Sequence, residues 1–289
     1  MNYRNKICFN VIRFPNVIEE GNRLGCKEVC CEPLLKLASS TDSEGYKNDI
    51  TGIAIKTSTL TDTVQFKVFK CGNPVQLSNL GTVGVYPQDD LVKGFVFDWK
   101  QYLVTYGVGV YTISVAYNIS GIALEYDYGQ YTLRDYSITN ARGTVRVWSE
   151  PNSYYQKELI DFTNSNHKDS IRFNGFFGNR EPNMEVNNLI TKGREVEKVT
   201  RENVNQYTLK SDFVDIRVTR RLLDFHFLNE DRLLLSDHNA SNHDYSLFDV
   251  PVVIDESPEI EYIERSRLAT VTATFGDRRK LSKSYYNLK

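Results

Sequence analysis

The sequence predicts a mainly β protein: antiparallel sandwich-like or barrel-like sheets, one or two short helices and extended terminal arms. Tyrosine (18 residues) and phenylalanine (15) dominate the aromatic residues, and both suit half-buried sheet faces. From residue 50 onward, polar and apolar residues alternate with a period of two, and turn-forming residues recur at short intervals. Short strands at this spacing, with no helical stretch between them, are typical of an antiparallel sandwich or barrel.

The chain divides into an arm, two β-rich regions and a tail. Residues 1–48 are predicted to form an irregular N-terminal arm, with a short helix beginning near Pro33. Residues 49–150 are predicted to form a β domain, and residues 151–278 a second β-rich region that includes a helix. Residues 279–289 are a basic tail without a core pattern, which we expect either to be disordered or to dock on a neighbouring molecule.

Alternation predicts the individual strands. In the β domain, "TVQFKVFKC" alternates clearly, and residues 102–138 are predicted to form three or four strands whose exposed faces are rich in tyrosine. In the second region "SRLATVTATFGDR" is the clearest case. One face of this strand would carry Ala269, Val271, Ala273 and Phe275, and the other Thr270, Thr272 and Thr274.

One helix is predicted, over residues 212–228. Asp212 would cap its N-terminus, and Ile216, Leu223 and Phe227 recur near helical spacing. Its charged face, expected to be solvated, would carry Arg217, Arg220 and Arg221.

Charge and hydropathy exclude several classes of protein. A net charge of −2 and a pI near 6.1 do not indicate nucleic-acid binding. No apolar stretch approaches the roughly 18 residues that a membrane helix needs. The opening residues "MNYRNKICFNVIRF" interrupt every apolar run with charge, unlike a secretory signal. We therefore expect a soluble protein made in a cytosol, with neither a membrane nor sequence-specific nucleic acid as a partner.

The five cysteines do not form an obvious site. Their odd number argues against a disulfide framework. Cys26, Cys30 and Cys31 leave a zinc site open, but the second pair of ligands that a structural zinc site needs is missing, so free thiols are favoured.

The segment "LSDHNASNHDYSLFDVPVVI" holds two of the four histidines and is the strongest candidate for chemistry. His238 and His243 are five residues apart, whereas two zinc ligands on one helical face need a spacing of four. A calcium loop beginning at Asp237 would need Gly and Glu where Asn242 and Phe248 stand. The favoured interpretation is an Asx-rich turn between two strands.

No catalytic motif is present elsewhere. The chain lacks the G-x-S-x-G, P-loop and dinucleotide-binding patterns. Glu125 with Asp127, or Glu158 with Asp161, could serve a glycan hydrolase, but any chain with 37 acids offers such pairs. We therefore predict no catalytic, cofactor-binding or metal-binding residues.

Residues 170–278 resemble neck and tail proteins of crAss-like tailed bacteriophages. The resemblance lies in the order of four segments, which cover a little over a third of the chain: "SIRFNGFFGNREP", "SDFVDIRVTRRLLDFHF", "DRLLLSDHNASNHDYSLFDVPVVI" and "SRLATVTATFGDR". It implies a structural protein that assembles as a ring below the portal, without catalytic residues.

On this resemblance we expect a homo-oligomeric ring in the virion, assembled in the host cytoplasm. It would contact portal, neck or tail proteins and form part of the conduit for genome delivery. Two alternatives remain open. One is a β-sandwich module that binds a glycan or a host receptor through surface aromatics, and the other is a hydrolase.

Overall fold

The chain was analysed as a computed structural model. It describes residues 11–13, 34–41, 48–57, 59–61, 63–75, 83–86, 88–119, 122–155, 160–190, 196–228, 232–239, 247–264, 266–277 and 281–284. The predicted class is confirmed, because the chain is mainly β, with few helices and antiparallel sheets that include a six-stranded barrel.

Two sheets come from the N-terminal half. The first has the order β1-β3-β7-β6, and the second β2-β9-β8-β4-β5. The strands of the first are β1 (Val11–Arg13), β3 (Ile50–Lys56), β6 (Val83–Tyr86) and β7 (Asp89–Asp98). Those of the second are β2 (Leu34–Ala38), β4 (Thr63–Lys70), β5 (Asn73–Val75), β8 (Gly109–Ile119) and β9 (Ile122–Asp135). We call the two sheets together the sandwich, because one core cluster joins their facing sides.

Aromatic side chains fill the sandwich core. Trp99 lies 5.1 Å from Tyr131 and 5.7 Å from Tyr111 between ring centroids, and all three are buried. Tyr102 and Tyr128 are also buried. The prediction that the tyrosines of residues 102–138 line exposed faces is therefore wrong for these side chains, because they supply the volume that closes the gap between the sheets.

The helix α1 (Trp99–Tyr106) interrupts the run of strands predicted over residues 102–138. The Asp98 side chain caps it by accepting a hydrogen bond from the Lys100 amide at 3.0 Å. Gly107, at φ 77°, follows its last residue. The pattern did not predict α1, because four of its eight residues are Tyr, Val or Thr and it is held by a buried Trp99 rather than by helix propensity.

The C-terminal half forms the barrel. Six antiparallel strands close in the order β10-β16-β17-β19-β14-β13, and β13 returns to β10. Their bounds are β10 (Thr144–Glu150), β13 (Asp169–Ile190), β14 (Val196–Ser211), β16 (Arg232–Asp237), β17 (Val250–Ile254) and β19 (Leu268–Asp277). Three shorter strands extend this sheet: β15 (Val214–Asp215), β18 (Glu259–Tyr262) and β20 (Leu281–Ser284). A separate pair, β11 (Tyr154–Tyr155) and β12 (Ile160–Asp161), and the helix α2 (Ile138–Ala141) complete the connections.

Alternation along β19 is as predicted. Ala269, Val271, Ala273 and Phe275 are buried, while the three threonines between them are half-buried. Strand β16, read from "DRLLLSD", is also buried along most of its length, as expected.

The predicted 212–228 helix begins later and changes its winding. Strand β15 precedes it, α3 spans Ile216–Arg221, and a π-helix continues over Leu222–Phe227. Asp212 is exposed and precedes β15, so the predicted N-cap is wrong. The wider π winding adds one residue per hydrogen-bonded turn, which changes the direction in which Phe225 and His226 point.

Two segments at the termini are more regular than predicted. Residues 34–38 form β2, not a helix from Pro33, because they pair in parallel with β9. Residues 281–284 of the tail form β20, which pairs with β14 of the same chain. In the described part of the chain, no helix is long and apolar enough to cross a membrane.

Candidate functional site

The strongest concentration of chemistry lies where the sandwich meets the barrel. Strands β3 and β10 are both buried along nearly their whole length, on both faces. Ile50 of β3 packs with Trp148 and Leu234 of the barrel wall. Val145 and Val147 point into the barrel, so the residues between them on β10 face the sandwich.

Two arginines stand directly opposite each other on the outer barrel wall. Arg146 of β10 pairs with Arg172 of β13, and both are fully buried. Asp49, from the turn before β3, accepts hydrogen bonds from Arg172 Nε at 2.8 Å and from Arg172 Nη2 at 3.0 Å. Arg146 lies 3.9 Å from the same carboxylate and donates to Asp249 at 2.6 Å. The two carboxylates offset a like-charge pair that would otherwise destabilise the sheet.

A Ser–His–Asp array lies beside the arginines. Ser149 and Asp169 are neighbours across β10 and β13, and His226 of the π-helix reaches both. Ser149 Oγ is 2.8 Å from His226 Nδ1. Asp169 Oδ2 is 3.0 Å from His226 Nε2, in an electrostatic contact whose angle falls outside hydrogen-bond geometry. Arg221 also donates to Asp169.

Lys36 connects all three large sheets. It belongs to β2 and is fully buried, and its Nζ donates to the Ile50 carbonyl oxygen at 2.6 Å and to that of Ser170. Burial lowers the pKa of Lys36 to about 8, although Asp169 and Asp49 act to raise it. A lysine held in this way makes the N-terminal strand part of the same packed unit as the barrel.

We name this group of side chains the buried charge cluster. It contains four cationic side chains and three carboxylates, of which only Asp249 has measurable exposure. Its members are Lys36, Asp49, Arg146, Ser149, Asp169, Arg172, Arg221, His226 and Asp249.

The pKa values of two carboxylates of the cluster, Asp49 and Asp169, are lowered. Burial is the largest influence on the pKa of Asp169 and would raise it, but Arg221, His226 and Lys36 together outweigh burial and hold this pKa well below its usual range. Arg172 does the same for the pKa of Asp49. Burial lowers the pKa of His226, so this imidazole is neutral near pH 7.

The array resembles a catalytic triad in composition but is built for structure. Ser149, His226 and Asp169 are each wholly buried, so a substrate has no route to the serine hydroxyl. Arg221 neutralises the carboxylate that would have to raise the basicity of the histidine. The arrangement therefore fixes the π-helix against β10 and β13.

The segment first considered for chemistry has a structural role in its described part. Asn239 Nδ2 donates to Asp237 Oδ1 at 2.7 Å and to the Gly175 carbonyl oxygen, so it ties the end of β16 to β13. The predicted Asx-rich turn falls on residues 240–246, which lie outside the described residues. His238 is buried against Phe248, and burial next to Arg172 and Arg146 lowers its pKa to about 3. His243 lies outside the described residues.

Among the described residues, the other candidates considered from the sequence do not form a site. The Asp161 carboxylate accepts a hydrogen bond from the Thr163 amide at 2.9 Å, while Glu158 and the side chains of Glu125 and Asp127 lie outside the described part. Cys71 is an exposed free thiol. Cys26, Cys30 and Cys31 lie outside the described residues. Among the residues that are described, no group of three or more His, Cys, Asp or Glu side chains could hold a metal ion.

The sequence did not reveal the buried charge cluster. Arg221 was predicted to lie on a solvated face, but it is buried against Asp169, whereas Arg220 is exposed as expected. One signal was available. In "TVRVWSE" and "SIRFN", Arg146 and Arg172 each occupy an outward-facing position between apolar residues of a strand. The two positions are neighbours across β10 and β13.

A second feature extends from the barrel. Strands β13 and β14 remain paired beyond it, from Pro182↔Asn205 to Ile190↔Val196. A register shift between Gly178 and Glu181 marks the place where the barrel ends. About nine residue pairs at the usual rise per residue give a length of ~30 Å. We call this extension the hairpin arm.

In comparisons with known proteins, no family model matched the chain, and no curated protein matched it significantly.

Proposed function

We propose that this chain is a structural protein of a tailed-phage virion, and that it forms a homo-oligomeric ring in the neck or tail as part of the conduit for genome delivery. The hairpin arm is the observation that carries the proposal. Within the described residues β20 supports the arm only over Thr200–Asn203, and the remainder of the arm is two-stranded, which is marginally stable in water by itself. An arm that extends ~30 Å beyond its barrel is stabilised when it packs on another subunit.

The buried charge cluster supports the same function. It fastens the sandwich to the barrel through the ion pair of Asp49 with Arg172 of β13 and through the hydrogen bonds of Lys36 from β2 to Ile50 and Ser170, while Arg221 of α3 holds Asp169 of β13. A conduit component transmits force between neighbours, and a joint of this kind resists shear because moving either part would leave buried charges without counter-charges.

The glycan-binding alternative loses support. Four of the tyrosines in residues 102–138 are buried, and they cannot provide a stacking surface: Tyr102, Tyr111, Tyr128 and Tyr131. Half-buried Tyr106 and Tyr136 remain as candidates. Glycan-array binding that is lost on Tyr136→Ala, in a variant that is still folded, would favour this alternative over the ring.

Light scattering and negative-stain microscopy of the full chain test the proposal. The chain should form closed particles with rotational symmetry, alone or with the adjacent virion proteins. A strict monomer under both conditions would overturn it.

A further inference from the structure

Three of the chain's four histidines lie where the sandwich meets the barrel, a region called the joint below, and all three are buried: His167, His226 and His238. His167 precedes β13 and lies against Gly52 of β3, on which a Cβ atom would approach the imidazole to 2.7 Å. His226 reaches β10 and β13 from the π-helix. His238 follows β16 and lies 6.1 Å from Tyr136, just beyond β9, between ring centroids.

The joint can open without dismantling either part of the chain. The sandwich and the barrel each have a large core cluster of their own. Two smaller clusters lie between them, one containing Phe225 with Ala54 and the other Ile50 with Trp148. Separation at the joint would expose the smaller clusters while each large core keeps its packing.

Two backbone amides cross the joint. Ile50 N donates to Ser170 Oγ at 3.0 Å, and Gly52 N donates to Asp169 Oδ1 at 3.2 Å. Amides two residues apart on a strand point to the same edge, so side chains of β13 close this part of the edge of β3. Exchange of these amides with solvent therefore requires the joint to open.

Two of the histidines share their charged neighbours. His167 faces Asp169 of β13, Arg221 of α3 and the imidazole of His226. His226 faces Asp169 and Arg221 as well, together with Lys36 of β2. Because Arg221 already donates to Asp169, a proton on either imidazole would add a positive charge without a carboxylate of its own.

The third histidine has a similar environment. His238 faces Arg172 of β13, Arg146 of β10 and the Asp49 carboxylate, which already pairs with Arg172. The buried charge cluster holds four cationic side chains and three carboxylates, so a further proton would increase an existing excess of positive charge. Burying such a charge without a partner is strongly unfavourable.

Burial keeps all three imidazoles neutral in the closed joint. It lowers the pKa of His167 to about 4 and that of His238 to about 3, and it lowers the pKa of His226 as well. In an open joint these pKa values would return to the ordinary value near 6.5, so the open form takes up protons first as the pH falls. The closed form is therefore favoured above about pH 6.5 and is progressively destabilised toward about pH 5.

The other ionisable groups of the joint do not titrate in this window. Asp49 and Asp169 have an ordinary pKa of 3.8 that the closed joint lowers further, so both are ionised in either form at pH 5 and above. The pKa of Lys36 lies between about 8 in the closed joint and 10.5 in water, so Lys36 is charged in either form below about pH 7.

We propose that the three buried histidines form an acid-sensitive switch, in which protonation separates the sandwich from the barrel while both parts stay folded. This inference goes beyond the proposed function, since it concerns the inside of one subunit and holds whether or not the subunits form a ring.

Amide hydrogen exchange of the full chain, followed by NMR between about pH 7 and pH 5, tests the switch. After correction for intrinsic exchange, the opening constant of the Ile50 and Gly52 amides should exceed that of core amides such as Ile113 and Val271 by at least ~10-fold. It should also rise as the pH falls, by up to ~10-fold per pH unit for each histidine, with an uptake that approaches ~3 protons.

Histidine substitutions identify the groups that take up the protons. His167→Gln and His238→Gln should each remove about one proton from the pH dependence of the Ile50 and Gly52 amides, and the double variant about two. Asp90→Asn removes an exposed carboxylate on β7, and this matched control should keep the wild-type dependence.

Three results would overturn the switch, and the first two need only the wild-type chain. The amides of the joint and of the cores exchange with one common opening constant, which would mean that only global unfolding exposes them. The opening constant of the joint amides is independent of pH. The folded histidine variants keep the wild-type dependence. Light scattering measures ring assembly separately, so the switch and the ring proposal can fail independently.

Discussion

At the scale of single residues, buried charge gives this protein its specificity of packing. Arg146 and Arg172 face each other on one sheet, and they are compensated by Asp49, which pairs with Arg172, and by Asp249, which pairs with Arg146. Breaking a buried ion pair on one side costs more than the pair contributes, because the remaining charge loses its partner.

Asp169→Asn tests this cost. The substitution keeps the shape of the side chain but leaves Arg221 without its counter-charge, so the free energy of unfolding should fall by ~3–5 kcal/mol. Urea unfolding near pH 7 measures it. Asp90→Asn, on an exposed carboxylate, should change the free energy by less than ~0.5 kcal/mol. Equal losses in the two variants would contradict a special role for Asp169.

His167 predicts a pH dependence. Burial lowers its pKa to about 4, below the ordinary value near 6.5, so the unfolded chain takes up the proton first as the pH falls. Its contribution is therefore fully present above about pH 6.5 and is lost as the pH falls toward 4, with a slope of up to ~1.4 kcal/mol per pH unit. Unfolding measured between about pH 7 and pH 5 should give a shallower slope for His167→Gln. An unchanged slope would show that His167 does not titrate in this way.

At the scale of elements, the sandwich and the barrel meet through a very close approach of two backbones. A Cβ atom on Gly52 of β3 would lie 2.3 Å from the Lys168 carbonyl oxygen and 2.7 Å from the His167 ring. The Gly52 amide donates to Asp169 at 3.2 Å. Only glycine permits this contact, so strand β3 and the buried charge cluster depend on each other.

Gly52→Ala should push the two parts of the chain apart. We expect a loss of ~1–3 kcal/mol or more, because a backbone carbonyl cannot move aside as a side chain would. Unfolding should also separate into two transitions, followed by tryptophan fluorescence and calorimetry. Gly72→Ala, with nothing within 4 Å, should cost only its left-handed backbone strain, ~1–2 kcal/mol, and keep one transition. A single transition in both variants would contradict the coupling.

At the scale of the whole molecule, folding and assembly use different parts of the chain. The described members of the two large core clusters end at Phe275, and within the described part of the chain β20 pairs only with the hairpin arm. Deleting residues 279–289 should therefore shift the midpoint of thermal unfolding by no more than ~2–4 °C, the equivalent of about 1 kcal/mol. The same deletion should abolish assembly in light scattering. A truncated chain that fails to fold would show that the tail belongs to the core.

The β class and many strands followed from local pattern. Alternation in β4 and β19 indicates which face of each strand is buried, because side chains on a strand point to opposite sides in turn. The same rule misplaced the tyrosines near residue 102, since alternation cannot tell a face that meets water from one that meets a second sheet.

The sequence by itself determined that this chain is β-rich and that its last residues are basic, since both properties are carried by neighbouring residues. Only the tertiary structure decided that Asp49, Asp169 and Arg221 are buried together, that β1 and β2 join sheets, and that β20 pairs with β14. The physical reason is distance along the chain. Asp49 meets Arg172 across a separation of 123 residues, and no local pattern records a partner so far away.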